Sequence, residues 1–256
     1  LGTNASGTAN NSIVVGTEAE ASAANAIAIG IEAVSNQSNT TAVGTLSKAT
    51  GNYSSAYGTL ANANGGGSMA FGAGSLATGL GSIAHGVNST AAATNAVVFG
   101  TEAGALGEDA TAIGYSAVAL GVDSTAIGKS SSASKVNATA LGAESKATGI
   151  SSTALGDAAN ASALQAIAIG ASARSSDQNS IAIGFSANAS ANDSIAIGYQ
   201  SNSKYANSTA IGAESATSRA DQIMLGQSTT QVTVANLSGT EKSIVVANSD
   251  GTLSSF

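Results

Sequence analysis

The apolar and polar residues of this chain alternate in a pattern with one fixed repeat length. Glycine recurs at every fourteenth position from Gly2 to Gly226 without an insertion or deletion, which places seventeen glycines in register. We number the positions of each unit as slots 1 to 14 with this glycine in slot 6, so that residues 179–189, NSIAIGFSANA, fill slots 1 to 11. A fixed short period is the sequence signature of a stacked repeat architecture.

Slots 3 and 5 carry the large apolar side chains of each unit. Slot 3 alternates between aliphatic residues, such as Ile27 and Ile181, and hydroxyl residues, such as Thr111. Slot 5 is aliphatic or aromatic in every unit except one, and its occupants are Leu1, Val15, Ile29, Val43, Tyr57, Phe71, His85, Phe99, Ile113, Ile127, Leu141, Leu155, Ile169, Ile183, Ile197, Ile211 and Leu225. Because residues two apart on a strand point to one face, we expect slots 3 and 5 to form the inner face of the repeat.

A second short strand is predicted from the small residues of slots 9 and 11, such as Ala187 and Ala189. Two short strands per unit, joined by turns, predict one coil of a parallel β-roll in which each coil pairs with the next at about 4.8 Å. About sixteen coils would form a rod on the order of 75 Å long. Slot 1 is Asn in seven of sixteen units and Asp in four, which fits a turn with unusual backbone geometry and side-chain ladders. The glycine of slot 6 predicts a positive φ or no room for a Cβ atom.

The distribution of charge agrees with this frame. Residues 1–226 contain twenty charged side chains, and none lies in slots 2, 3, 4, 5, 6, 9 or 11. Slot 4 points away from slots 3 and 5, yet it is Ala in thirteen of sixteen units, whereas a solvent-facing strand position would accept Lys or Glu. We therefore expect slot 4 to be a second buried face that packs against other copies of the chain. So thin a roll has too few large apolar side chains to fold alone.

Composition excludes several classes of function. The chain of 256 residues has no Cys, which excludes disulfides and thiolate metal sites, and its net charge is −7 with no basic stripe, so nucleic acid is not an expected partner. No apolar run reaches the roughly 18 residues of a transmembrane helix, so we expect no membrane insertion by this segment.

We expect no catalytic, cofactor or metal site. The only histidine, His85, is predicted to fill a core position between Phe71 and Phe99 of the neighbouring coils, and a metal or catalytic role would lack partners. The segments that start at Gly72 and Gly79 match a dinucleotide-binding glycine pattern without the βαβ context that it requires. Ice binding would need an outward array of Thr, and the Thr residues of slot 3 lie on the expected inner face.

The turn slots are the candidate binding surface, with no ligand residue identified. Slots 10 and 12 to 14 vary from unit to unit, as Lys48, Val118 and Arg174 show for slot 10. Many weak contacts along a regular rod combine through effective concentration. Such a scaffold suits multivalent adhesion, while drift at unconstrained turns would produce the same variation at any one residue.

The units NSIAIG (179–184), DSIAIG (193–198), NAIAIG (25–30) and NSTAIG (207–212) resemble the head repeats of YadA-like trimeric autotransporter adhesins. The resemblance covers residues 1–226. It implies a left-handed parallel β-roll, an obligate homotrimer and a position on the bacterial cell surface. It also implies attachment to the outer membrane through parts not present in this chain, and matrix proteins such as collagen as ligands.

Residues 227–256 leave the repeat frame. QVTVANL (231–237) and SIVVANSDGTLSSF (243–256) alternate like ordinary strands, with a turn signal at residues 249–251. We expect residues 1–226 to form the head and residues 227–256 to form a transition to a stalk or fibre.

Two functions remain open from the sequence, and neither is enzymatic. One is a surface adhesin head that binds host matrix, cells or other surfaces. The other is a structural segment of a trimeric phage or viral tail fibre or of a surface filament.

Overall fold

The repeat folds as an all-β parallel solenoid of about sixteen coils. The structure, a computed structural model, describes residues 2–230, 245–247 and 253–255, and these residues contain no helix. Each complete coil contributes a three-residue strand from slots 3 to 5 and a two-residue strand from slots 10 and 11. The predicted all-β parallel β-roll is confirmed.

The three-residue strands form a sixteen-stranded parallel sheet, here called the wide sheet. Each strand pairs with the equivalent strand of the next coil, as Ile181 with Ile195. Its strands are Ile13–Val15, Ile27–Ile29, Thr41–Val43, Ser55–Tyr57, Met69–Phe71, Ile83–His85, Val97–Phe99, Thr111–Ile113, Thr125–Ile127, Thr139–Leu141, Thr153–Leu155, Ile167–Ile169, Ile181–Ile183, Ile195–Ile197, Thr209–Ile211 and Ile223–Leu225.

The two-residue strands form a fifteen-stranded parallel sheet, the narrow sheet, in which equivalent slots of neighbouring coils also pair. Its strands are Ser6–Gly7, Glu20–Ala21, Val34–Ser35, Lys48–Ala49, Asn62–Ala63, Leu76–Ala77, Thr90–Ala91, Gly104–Ala105, Val118–Ala119, Ser132–Ala133, Lys146–Ala147, Asn160–Ala161, Arg174–Ser175, Asn188–Ala189 and Asn202–Ser203.

The segment after the repeat contains one antiparallel strand pair among its described residues, Val245–Ala247 with Leu253–Ser255. Both strands fall within the predicted strand region 243–256. The predicted strand at 231–237 and the predicted turn at 249–251 lie outside the described residues. The division of the chain at residue 226 stays a prediction.

The two turns of each coil share one backbone geometry. In the coil around residue 190, the N–H of Ala187 donates to the carbonyl of Gly184, and the N–H of Ser194 donates to the carbonyl of Ala191, each at 3.2 Å. The third residue of the second turn, Asp193, has a φ of +54°. An i to i+3 bond with positive φ at the third residue is the pattern of a type II turn.

Positive φ was expected in slot 1 and also occurs in slot 8. Among the described residues, every non-glycine residue with positive φ lies in one of these two slots. Slot 8 holds residues that rarely adopt this conformation, such as Glu32 at +55° and Leu60 at +61°. Composition carries no sign of this conformation, because slot 8 is not enriched in Asn or Asp, whereas slot 1 is.

The side chains of slot 1 form the expected ladders between coils. The Nδ2 of Asn11 donates to the Oδ1 of Asn25 at 3.2 Å, and Asn25 donates to Asn39 at 3.0 Å. Asp can replace Asn as the acceptor, as in the 2.9 Å bond from Asn179 to Asp193. The ladders therefore run along one edge of the solenoid, parallel to its axis.

The glycine of slot 6 meets both expectations. Gly142 has a φ of +134°, a conformation that favours glycine, and a Cβ atom placed on it would lie 2.4 Å from the carbonyl oxygen of Gly156 in the next coil. The same close approach recurs from coil to coil along the rod. The glycine column thus sets how closely consecutive coils stack.

The interior of the solenoid is made of alanine and small hydroxyl residues in slots 2, 4, 9 and 11. The fully buried apolar side chains of the described residues are all Ala, with Val98 as the single exception. Several buried serines bond to their own turns: the Oγ of Ser145 donates to the carbonyl of Gly142 at 2.8 Å, and that of Ser124 to Gly121 at 2.6 Å. The two sheets therefore lie back to back across a layer one small side chain thick on each side.

The predicted orientation of the three-residue strand is wrong. Slot 4 faces the interior, as in Ala126 and Ala140, which are fully buried, while slots 3 and 5 face outward. The alternation was correct, but large side chains were assigned to the inside because they are apolar. A coil this short has room inside only for small side chains such as Ala, Ser or Thr, so Ile and Leu must point out.

We expect Ala126→Leu to destabilise the fold by about 3 kcal/mol, because three extra carbon atoms would enter a filled interior between Ala112 and Ala140. Thr125→Ile is the matched control, since it adds volume one residue away on the outer face, where other coils already carry Ile. Thermal unfolding followed by circular dichroism measures both. Equal melting of the two variants would contradict the thin alanine interior.

We expect Gly142→Ala to cost about 2–3 kcal/mol, because the new Cβ adds a strained positive φ to an overlap with the next coil. Gly104→Ala is the control: its Cβ would meet nothing closer than a carbonyl oxygen at 4.0 Å, so its effect should stay within about 0.5 kcal/mol. Denaturant unfolding of the two variants compares them. If Gly142→Ala were as stable as Gly104→Ala, the slot 6 glycines would not limit coil stacking.

Candidate functional site

The described residues contain neither a concave pocket nor a group of three or more His, Cys, Asp or Glu side chains that could hold a metal ion within one chain. They also contain no helix long and apolar enough to cross a membrane. The features that this part of the molecule offers to partners are therefore its outer surfaces. That the single chain has no catalytic or cofactor site stays a prediction.

The outer surface of the wide sheet, formed by slots 3 and 5, is here called the apolar face. Ten large apolar residues in slot 5 and three in slot 3 are more than one third exposed, among them Ile13, Leu141 and Ile211. No charged residue of the sixteen coils lies in either slot. Contiguous exposed apolar surface of this extent is unusual on a monomer and marks an interaction surface.

Four consecutive coils of the apolar face carry rings in slot 5. Tyr57 and Phe71 stack with centroids 5.1 Å apart and planes 4° from parallel. His85 lies 6.0 Å from Phe71 and 5.4 Å from Phe99, measured between ring centroids. The stack follows from the parallel register, which places the same slot of neighbouring coils side by side.

The prediction for His85 was wrong about its burial and right about its neighbours. The imidazole lies exposed on the apolar face, at the end of the strand Ile83–His85, because slot 5 points outward in every coil. It does lie between Phe71 and Phe99, as the register required.

The glycine pattern that resembled a nucleotide-binding loop belongs to the turns of two coils. Gly72 is a slot 6 glycine with a φ of +128°, while Gly74 and Gly81 occupy slots 8 and 1 with φ of +67° and +65°. Strands follow these turns where the nucleotide-binding pattern would need a helix. Gly74 and Gly81 replace the non-glycine residues that other coils hold with positive φ at slots 8 and 1.

The Thr residues of slot 3 face outward, contrary to the expectation that counted against ice binding. Thr111, Thr125, Thr139 and Thr153 lie in register on four consecutive strands of the wide sheet. They share the apolar face with the Ile and Leu of slot 5. Whether this row is free therefore depends on what covers the apolar face.

A second exposed apolar feature lies among the variable turn slots, where the two-residue strand of one coil leads into the three-residue strand of the next. We call it the aliphatic ridge. Its six side chains are each 40–50% exposed, and they are Leu106 and Leu120 in slot 12 and Val122, Val136, Ile150 and Leu164 in slot 14. At about 4.8 Å per coil the slot 14 row spans on the order of 15 Å.

The sequence indicates the ridge when the same slot is compared across consecutive units, but not when each turn is considered alone. Slot 14 holds aliphatic residues in these four consecutive units, while other units hold residues such as Asn10, Ser38, Thr94 and Gln178 there. The prediction of variable turns treated each turn separately and missed the row. The backbone therefore accepts polar residues at slot 14, and the aliphatic ones are not needed for the coil itself.

One exposed aromatic pair lies in slot 7. Phe185 and Tyr199 stack with centroids 5.6 Å apart and planes 11° from parallel, and each ring is about half exposed. Their neighbours in the same slot, Ala171 and Ala213, are small. The pair thus stands out from the turn surface.

Comparison with known proteins identifies the repeat. The model of the YadA head domain repeat matches the chain twelve times between residues 8 and 215. A solved structure, the collagen-binding domain of the Yersinia adhesin YadA, aligns with 25% identity over 78% of this chain and 81% of that chain, with a TM-score of 0.25. A search of curated proteins found no match.

The matched repeats include the NSIAIG-type units and both turns of most coils, so the match extends over far more than half of the chain. The period, the inward alanines and the slot 6 glycines described above are the features that these repeats share along the chain. The chain belongs to the family of YadA head-domain repeats, which are adhesin heads and not enzymes.

Proposed function

We propose that this chain is the head of a bacterial cell-surface adhesin, assembled as a homotrimer and binding host matrix, cells or other surfaces through its outer turns. Membership of the YadA head family is the observation that carries the proposal. The head would be held to the outer membrane through segments outside residues 1–256, and it would perform no catalysis.

The apolar face supports assembly. Its slot 5 column contains no charged residue in any coil, although the neighbouring turn slots carry Glu, Asp, Lys and Arg. An uncovered face of this kind would cost solubility, and covering it with copies of itself buries the large side chains that the interior cannot hold. The number three comes from the family resemblance, in which three heads pack side by side.

The surface left outside a trimer supports adhesion. The narrow sheet and the turns present slots 10, 12 and 14, where polar, charged and aliphatic residues alternate from coil to coil. Contacts at several coils, multiplied by three chains, add through effective concentration. The aliphatic ridge is a contiguous apolar feature of this outer surface.

We expect light scattering of the purified chain to give three times its 24.3 kDa mass. Leu141→Glu should reduce the particle to one chain, because it places a charge in the apolar face. Ser132→Glu, on the narrow sheet, is the control and should leave the trimer intact. A monomeric unmodified chain would overturn the assembly, and thermal hysteresis of that monomer would point to ice binding by the slot 3 Thr row.

Replacing the slot 14 row of the ridge should weaken adhesion at unchanged trimer mass. The variant is Val122→Asn, Val136→Asn, Ile150→Thr and Leu164→Gln, and the control is Ile31→Thr with Val87→Thr in slot 7, where other coils carry Thr. We expect at least tenfold less protein retained on alkyl-coated sensors and immobilised matrix proteins, since one buried aliphatic side chain contributes about 1.5 kcal/mol. Equal retention of both variants on every surface would exclude the ridge from adhesion.

A further inference from the structure

His85 is the one polar side chain in the slot 5 column of the apolar face, apart from the hydroxyl of Tyr57. Its ring contacts are with Phe71 and Phe99, and the imidazole makes no hydrogen bond or ion pair with any other described residue. Both imidazole nitrogens are therefore without a protein hydrogen-bond partner in the described part of the single chain, where water can reach them.

The surroundings of His85 in its own chain offer no replacement for that water. The nearest outward side chain on its strand is Ile83, and the flanking coils present Phe rings. No charged residue occurs between Lys48 and Glu102. If the apolar face is covered, the imidazole nitrogens lose water, and an unpartnered buried polar group is costly.

Assembly supplies the partners, because closed threefold symmetry places equivalent residues at equal height on the axis. Packed sheets lie about 10 Å apart face to face, so three wide sheets gathered around one axis each lie about 5 Å from it. An imidazole carries its Nε2 about 5 Å from the Cα through bonds of roughly 1.5 Å, which is the distance to that axis. In a trimer whose slot 5 columns line the axis, three His85 side chains therefore meet there at one height.

We infer that the three His85 imidazoles of the trimer bind one Zn²⁺ ion at the threefold axis. Neutral imidazole is a preferred Zn²⁺ ligand, with bonds of about 2.0–2.1 Å, and three such ligands leave a fourth tetrahedral position for water. Phe71 and Phe99 flank each imidazole along the rod, with ring centroids 6.0 and 5.4 Å away, and leave its nitrogens free to turn towards the axis. This inference rests on the proposed trimer.

This metal site cannot be recognised from the ligands of a single chain. The sequence contains one His and no Cys, and the described residues of a single chain bring no metal-binding group together. Because slot 5 points outward, each of the three imidazole ligands comes from a different copy of the chain. The metal would then close the apolar face at its imidazole position.

The test uses trimeric protein with any affinity tag removed and bound metal stripped by chelator. We expect calorimetric titration with ZnCl₂ to show one ion per three chains, and Co²⁺ as a substitute to give the visible absorption of a tetrahedral site. His85→Phe should abolish both signals, with at least a 100-fold loss of affinity. It should keep the trimer mass, because the same column already holds Phe71 and Phe99.

The two proposals fail in different ways. A trimer that binds no Zn²⁺ at this stoichiometry, or a His85→Phe trimer that still binds it, would overturn the metal site and leave the assembly intact. A monomer at all protein concentrations, with or without Zn²⁺, would overturn the assembly and the site together. Zn²⁺ should also raise the melting temperature of the unmodified trimer and not that of His85→Phe.

Discussion

The narrow space between the two sheets determines most of this molecule. A short coil, with one three-residue and one two-residue strand, leaves an interior that admits Ala, Ser and Thr and, at one coil, Val98. Alanine buries little area, so the interior contributes modest hydrophobic stabilisation per coil. The hydrogen bonds between coils and the close stacking of glycines hold the rod together. The large apolar residues are displaced to the outer face, where the proposed trimer would cover them.

Features that depend on spacing alone could be predicted from the sequence. The period defined the coil, and the in-register glycines and the Asn of slot 1 marked positive-φ positions that the structure contains. The Asn ladders followed from the same register. The slots without charge include the buried slots 2, 4, 9 and 11. They also include slots 3 and 5, which are apolar but face outward, so the absence of charge did not distinguish the two groups.

What the sequence did not reveal is which side of the strand faces in. Alternation assigns Ala126 and Ile127 to opposite faces of the strand but does not say which face is the inner one. Only the narrow width of the coil decides this, because the interior has room for Ala and not for Ile. His85 was misplaced for the same reason. The positive φ of slot 8 was missed because residues such as Leu60 adopt it without any compositional signal. The ridge was missed because its residues are close in space yet a full repeat apart in sequence.

The stacking of slot 6 glycines also bears on how such a rod changes length in evolution. Each glycine meets the corresponding glycine of the next coil in nearly the same way along the chain, so every junction between coils is interchangeable. Duplication or loss of a whole unit would lengthen or shorten the rod by about 4.8 Å and leave each remaining junction as it was. Gain or loss of a single residue would turn every later side chain of a strand to the other face. The length of the rod can therefore change in evolution only by whole repeat units, while the turn residues of each unit can change independently.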